Sequence, residues 1–253
     1  TSQRKRPTFL TMNVRICLQI LLAMAAIGLG GRAEEPFPET GVRFDPVVRK
    51  MEGWTVYVDP ALLEGEHAVD GQKALRMLED HLNRISILVE ASRLSRLRQC
   101  EIWIERDHPT LKAMQYHPSM GWLKAHGHDP RLTRKVHITR AAALLERGQL
   151  LKHPAVVLHE LAHAYHDQFL TFEHEATIAA YENAMKAGLY DRVLLFNGEI
   201  VPHYARTNHK EYFAESTEAY FYRNDFFPFV RAELKEHDPI IHAIMEAVWG
   251  KLE

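Results

Sequence analysis

His159-Glu160-Leu161-Ala162-His163 sets two imidazoles four residues apart with a carboxylate between them. On a helix that spacing puts both rings on one face, where they can hold a single metal ion. Glu160 lies about a quarter-turn round from His159, so its carboxylate falls beside the ion where a bound water would sit, which suits a general base rather than a ligand. The chemistry these residues point to is zinc-assisted hydrolysis. A solvated or core helix could carry the same letters by coincidence, but the surroundings favour the metal. Pro154 fits a first helical turn, and Val156, Val157, Leu161, Ala164 and Tyr165 supply an apolar stripe. The helix is expected to run from about Pro154 to Gln168.

A catalytic zinc takes three protein ligands and a water. Downstream, Asn208 is a good N-cap for a helix in which Glu211 and Glu215 stand four residues apart on one face, with Glu218 three further on. A Glu from this helix is the natural third ligand. Glu211 could instead reach back to cap Asn208, and Glu215 and Glu218 could line a solvated face. His166 lies three residues beyond His163 and is expected at the surface or supporting a ligand ring. His117, His126 and His128 match no ligand spacing and are expected to be solvated.

The stretch Tyr204-Ala205-Arg206-Thr207-Asn208-His209-Lys210-Glu211-Tyr212-Phe213-Ala214-Glu215 resembles the corresponding segment of the anthrax lethal factor-like metallopeptidases, a branch of the Glu-zincins. The resemblance covers this stretch and His159 to Asp167, and does not extend to the N-terminal half. It implies Glu211 as third zinc ligand, Tyr204 as the hydroxyl that polarises the substrate carbonyl or supports the oxyanion, and Glu215 as the acceptor that orients a ligand imidazole. The chain also resembles a group of secreted metallopeptidase-like proteins that share Tyr116-His117-Pro118-Ser119 and His159-Glu160-Leu161-Ala162-His163-Ala164-Tyr165-His166-Asp167. A metzincin is disfavoured, because its third His follows a Gly at fixed spacing, and here His166, Asp167 and Gln168 follow without that Gly. The implied activity is a zinc metalloendopeptidase with a peptide or protein substrate. Its rivals are a zinc amidase acting on a non-protein amide such as a cell-wall crosslink, and a secreted zinc-binding interaction module without turnover.

These groups need elements to hold them. Trp54 to Val58 and Cys100 to Glu105 read as strands, separated by a helical pattern over Gly71 to Leu97. The span 107–134 is rich in Pro and Gly and reads as a long loop, with room for one short helix near Leu111 or Trp122. Val136 to Thr139 reads as a strand, either an ordinary covered one or a sheet edge to which an extended peptide could add. Past the motif helix, a helix is expected over Glu173 to Ala187 with Gly188 as its stop, then a hairpin around Asn197-Gly198. Three more helices follow at His209 to Tyr222, Pro228 to Glu236 and Pro239 to Leu252. The expected fold is α+β and zincin-like. A small mixed sheet packed by helices occupies residues 34–150, a mainly helical lobe 151–253, and the motif helix lies between them.

Arg15 ahead of the apolar run Ile16 to Leu29, with Gly31-Arg32-Ala33 beyond it, has the form of a secretory signal, so residues 1–33 read as a leader and removed signal. The run is shorter than the roughly 20 residues of a membrane span, which disfavours stable insertion of the mature chain. Cleavage after Ala33 leaves 26 basic residues of the 31 against 33 acidic, a net charge of −7. A mildly acidic protein without a basic cluster is a poor partner for nucleic acid. Of two cysteines, Cys17 lies in the signal, so Cys100 stands alone and reads as a buried structural thiol. The expected location is secreted or periplasmic.

Overall fold

Side chains alternate across a strand, and here the alternation gives one sheet two unlike faces. The computed structural model describes residues 41–252, which belong to one unit spanning Pro38–Glu253. The leader and signal assignment lies outside the described residues. The sheet is built from β1 (Val47–Met51), β2 (Trp54–Val58), β3 (Glu101–Ile104), β4 (Gln115–Tyr116) and β5 (Lys135–Ile138), in the order β1-β2-β3-β5-β4. The centre is parallel, and β1 and β4 are antiparallel additions at the two edges.

Trp54, Val56, Val58, Ile102, Ile104, Val136 and Ile138 form the inner face. They pack in one core with Leu75, Leu78, Leu82 and Ile85 of α1 (Ala68–Leu88) and with Val157, Leu161 and Ala164 of α5 (Val156–Tyr165). Each such side chain, fully buried, contributes roughly 1.5–3 kcal/mol. Cys100 sits in this core with its thiol pushed up to about 12 by burial, which keeps it inert. The outer face carries Tyr57 and Trp103, covered by Phe44, Leu123 and Leu132. Leu123 comes from the short α3 (Met120–Ala125) inside the long 107–134 loop.

The single helix expected over Gly71 to Leu97 is two. Val89 takes an extended conformation, and Glu90 then caps α2 (Ala91–Leu97) by accepting the Ser92 N–H at 3.3 Å. The reading of Val136 to Thr139 as a peptide-accepting edge is also corrected. β5 is interior, with both of its sides taken by β3 and β4, and the edge is β4. Neither β1 nor α4 (Arg147–Lys152) was anticipated.

The C-terminal half is mainly helical. α5 starts at Val156, two residues beyond Pro154, and passes into a wide π-type turn over His166–Leu170. Then come α6 (Glu175–Lys186), the hairpin β6 (Val193–Leu194) and β7 (Ile200–Val201), α7 (His209–Phe221), α8 (Arg231–His237) and α9 (Pro239–Trp249). Gly198 supplies the positive φ the hairpin turn requires. Trp249 of α9 is fully buried against Tyr165, with ring centroids 4.4 Å apart, and so ties the chain end to the motif helix. Asp238 accepts from the Tyr212 and Tyr190 hydroxyls at 2.6 and 3.2 Å and caps α9 through the Ile241 N–H. Among the described residues no helix is long and apolar enough to cross a membrane.

Candidate metal centre

α5 and α7 lie against each other, and three ligand-type atoms meet between them. His159 Nε2, His163 Nε2 and Glu211 Oε2 form a triangle with all three sides 3.1 Å. Tetrahedral ligands held roughly 2.0–2.1 Å from a zinc ion stand about 3.3 Å apart, so the triangle fits the ion closely. The donor set also fits, being two imidazoles and one carboxylate. Asn208 makes the position of Glu211 possible. Its side chain caps α7 by accepting the N–H groups of Lys210 and Glu211 at 2.9 and 3.0 Å, leaving the Glu211 carboxylate free to face the two rings. Burial pushes the Glu211 pKa up, but His163 and His159 outweigh it and hold the carboxyl well below its usual range.

A second triplet, His153, His159 and Glu218, also converges. There His159 Nδ1 stands 2.6 Å from Glu218 Oε1, too close for two ligands of one ion and suited to a charge-assisted hydrogen bond. The Nδ1–H therefore donates to Glu218, which leaves Nε2 to face the triangle. His153 Nε2 reaches the same Glu218 oxygen at 2.9 Å.

The contact to a histidine of the triangle expected of Glu215 is thus made by Glu218. Glu215 Oε1 stands 3.6 Å from His159 Nδ1, beyond a hydrogen bond, and its Oε2 is taken by Asn224 Nδ2 at 2.8 Å. Neither residue lines a solvated face, since both are fully buried. Burial and the neighbouring Glu218 push Glu215 upward, while the two histidines overcome burial and hold Glu218 low.

Glu160 is buried beside the triangle, and its Oε2 accepts the Tyr116 backbone N–H at 2.9 Å. Burial raises its pKa, with His159 and His163 opposing. Tyr204 opens a single 3-10 turn, Tyr204–Thr207, ahead of α7. That turn is fixed by His203, whose Nδ1 accepts the Ala205 N–H at 3.0 Å while its ring stacks on Phe226. The Tyr204 side chain is 48% exposed, and its phenol makes no hydrogen bond among the described residues. Partial burial, with the Glu211 charge adding, pushes it up to about 12, so it is a proton donor at neutral pH.

His166 corrects the expectation made of it. It is fully buried, its ring 4.4 Å from that of Phe213, and neither ring nitrogen has a hydrogen-bond partner. Burial drives its pKa down to about 3. His117 is buried rather than solvated, and with His126 and His128 it lies outside both triplets. A cavity of about 470 Å³ beside Arg93, Arg96, Tyr165 and Ile244 includes none of the triangle residues.

Sequence reasoning passed over His153 and Tyr116 as site residues, and weighed Glu218 only as a candidate ligand or part of a solvated face. For Glu218 a signal existed, since it lies seven residues after Glu211 and returns to the same helix face. Comparison with protein-family models, with curated proteins and with solved structures found no match to this chain.

Proposed function

We propose that the chain is a zinc metalloendopeptidase of the Glu-zincin type, with a zincin-like fold, acting outside the cytoplasm on a peptide or protein substrate. The observation that carries this reading is the 3.1 Å triangle of His159, His163 and Glu211 with the Glu160 carboxylate buried beside it. The segments resembling lethal factor-like metallopeptidases supply all four of these residues and Tyr204.

Zinc, when bound by the two imidazoles and Glu211, supplies Lewis acidity that brings the pKa of a coordinated water toward neutrality. The chain's own residues do the rest. Glu218 holds His159 in the tautomer that presents Nε2. Glu160 has Oε2 engaged by Tyr116, so Oε1 takes the proton as the water oxygen bonds to the carbonyl carbon. Burial raises the pKa of Glu160, which suits a group that takes up a proton and returns it. That same proton passes to the amide nitrogen as the C–N bond breaks. Tyr204, protonated and half-exposed at the mouth of α7, donates to the developing oxyanion.

The test is to profile a diverse peptide library with the wild type and with Glu160→Gln, alongside metal analysis of both. The wild type should hold zinc and cleave, and Glu160→Gln should hold zinc with turnover reduced by roughly a hundredfold or more. Loss of zinc in that variant, or undiminished cleavage, would remove Glu160 from its role. Zinc retention with a library left intact by both proteins would favour a binding module or a non-peptide amide.

A further inference from the structure

Tyr116 and Asp167 hold no corner of the triangle, yet they meet each other, and the Tyr116 backbone reaches Glu160 beside it. His117 faces β5, its N–H donating to the Lys135 carbonyl at 3.2 Å and its own carbonyl accepting the Arg134 N–H at 2.7 Å. Alternation along the strand then turns the Tyr116 N–H to the open edge, where it meets Glu160 Oε2. The other end of Tyr116 is tied as well. Its phenol donates to Asp167 Oδ2 at 2.5 Å, and Gln168 Nε2 bridges the phenol oxygen and the Arg134 carbonyl at 3.3 and 3.1 Å. Asp167 and Gln168 lie in the π-type turn that extends α5, a geometry that swings side chains away from where a continued α-helix would point them.

We propose that Tyr116 and Asp167 are a positioning pair, a latch binding the edge strand to the motif helix so that the Tyr116 N–H aims the Glu160 carboxylate. Its consequence for turnover rests on the hydrolase reading. The physical need is plain, because the terminal torsion of a glutamate is broad and two-fold, and a proton acceptor must lie within hydrogen-bond reach of its proton. With Oε2 engaged by a peptide N–H on an anchored strand, Oε1 is left with one direction. Without the anchor, β4 is two residues held on one side only. Tyr116 is buried, and burial followed by the hydrogen bond to Asp167 raises its pKa, so the phenol stays a donor.

The experiment compares Tyr116→Phe, Asp167→Ala and the double variant with the wild type. It reads amide hydrogen exchange at Tyr116 in the metal-free protein, zinc affinity, and kcat and KM separately. Each single change should speed exchange at Tyr116 by about tenfold or more, and the double should add nothing further, because both break one bond. kcat should fall on the order of tenfold to a hundredfold with KM and zinc affinity unchanged. Wild-type exchange at Tyr116 in both single variants, or losses that add in the double, would overturn the latch. Loss of zinc affinity together with kcat would also overturn it, by showing a general disturbance of the helix. Should the wild type bind zinc and cleave nothing, the hydrolase reading fails by itself. The exchange and coupling measurements need neither metal nor substrate and still decide the latch.

Discussion

Beside α5, His153, His159 and His163 stand among three carboxylates, Glu211, Glu215 and Glu218. On the outer face of the sheet, His108, His117, His126, His128 and His137 stand largely among one another, with Trp122 between the last turns of the loop. His117 Nε2 meets His137 Nδ1 at 3.1 Å, the same spacing as in the metal triangle. Charge decides what that spacing becomes. At the first cluster burial is opposed by Glu211 and Glu218, and His159 is held well above its ordinary pKa. At the second, Glu105 is matched by Arg43, burial outweighs the charge of Asp129 at His137, and His108, His117 and His137 each fall to about 3. Among the described residues, no three donor atoms of the outer cluster converge as the inner ones do. At the inner pair Glu211 completes a triangle with both Nε2 atoms and Glu218 takes the other His159 nitrogen, whereas at the outer pair Glu105 Oε1 lies 3.1 Å from His137 Nε2, the nitrogen turned away from His117, and no triangle closes.

The strongest break of this contrast is metal loading. His163→Ala and Glu211→Gln should abolish zinc binding by metal analysis, while His117→Gln and His128→Gln should keep the wild-type content. The reverse pattern would move the metal to the outer face. Glu218→Gln comes next, because it removes the charge that holds His159 and leaves the triangle intact. Zinc affinity by chelator competition should fall about 10–100-fold, with Glu215→Gln falling less. Equal losses from both would return the orienting role to Glu215.

The smallest effect is on acid stability. A histidine whose folded pKa lies near 3 against 6.5 unfolded is neutral in the fold. Its contribution is complete above pH 6.5 and is lost as pH falls from 6.5 toward 3. In the metal-free protein, His137→Gln should therefore flatten the acid limb of a stability-against-pH curve, by about 1–2 kcal/mol at pH 5. An unchanged limb would show that the outer cluster does not govern acid sensitivity.

The motif helix was legible in the sequence because its signal is local. His159 and His163 four residues apart, set over an apolar stripe, fix a face without help from the rest of the chain. The third ligand was harder. Glu211, Glu215 and Glu218 share a face, and only the packing of α7 on α5 decides that Glu218 rather than Glu215 meets His159. β4 was hidden by its length, since two residues inside a Pro- and Gly-rich loop show no alternation to read. The break at Val89 was hidden by continuity, because the leucine spacing of α1 runs on into α2 across it. His166 went to the core because it packs on Phe213, a residue 47 positions distant that no local pattern connects to it.

The hydrogen bond from the Tyr116 N–H to Glu160 also bears on solubility. A sheet edge with free donors and acceptors is a template for a foreign strand, and proteins blunt such edges to avoid aggregation. The outward N–H of β4 is already spent on Glu160, and the next outward position is Pro118, which has no N–H to offer. At these two positions the edge accepts hydrogen bonds without donating any. A second copy of the sheet cannot simply zip onto it, and whatever lies there must bring its own N–H groups.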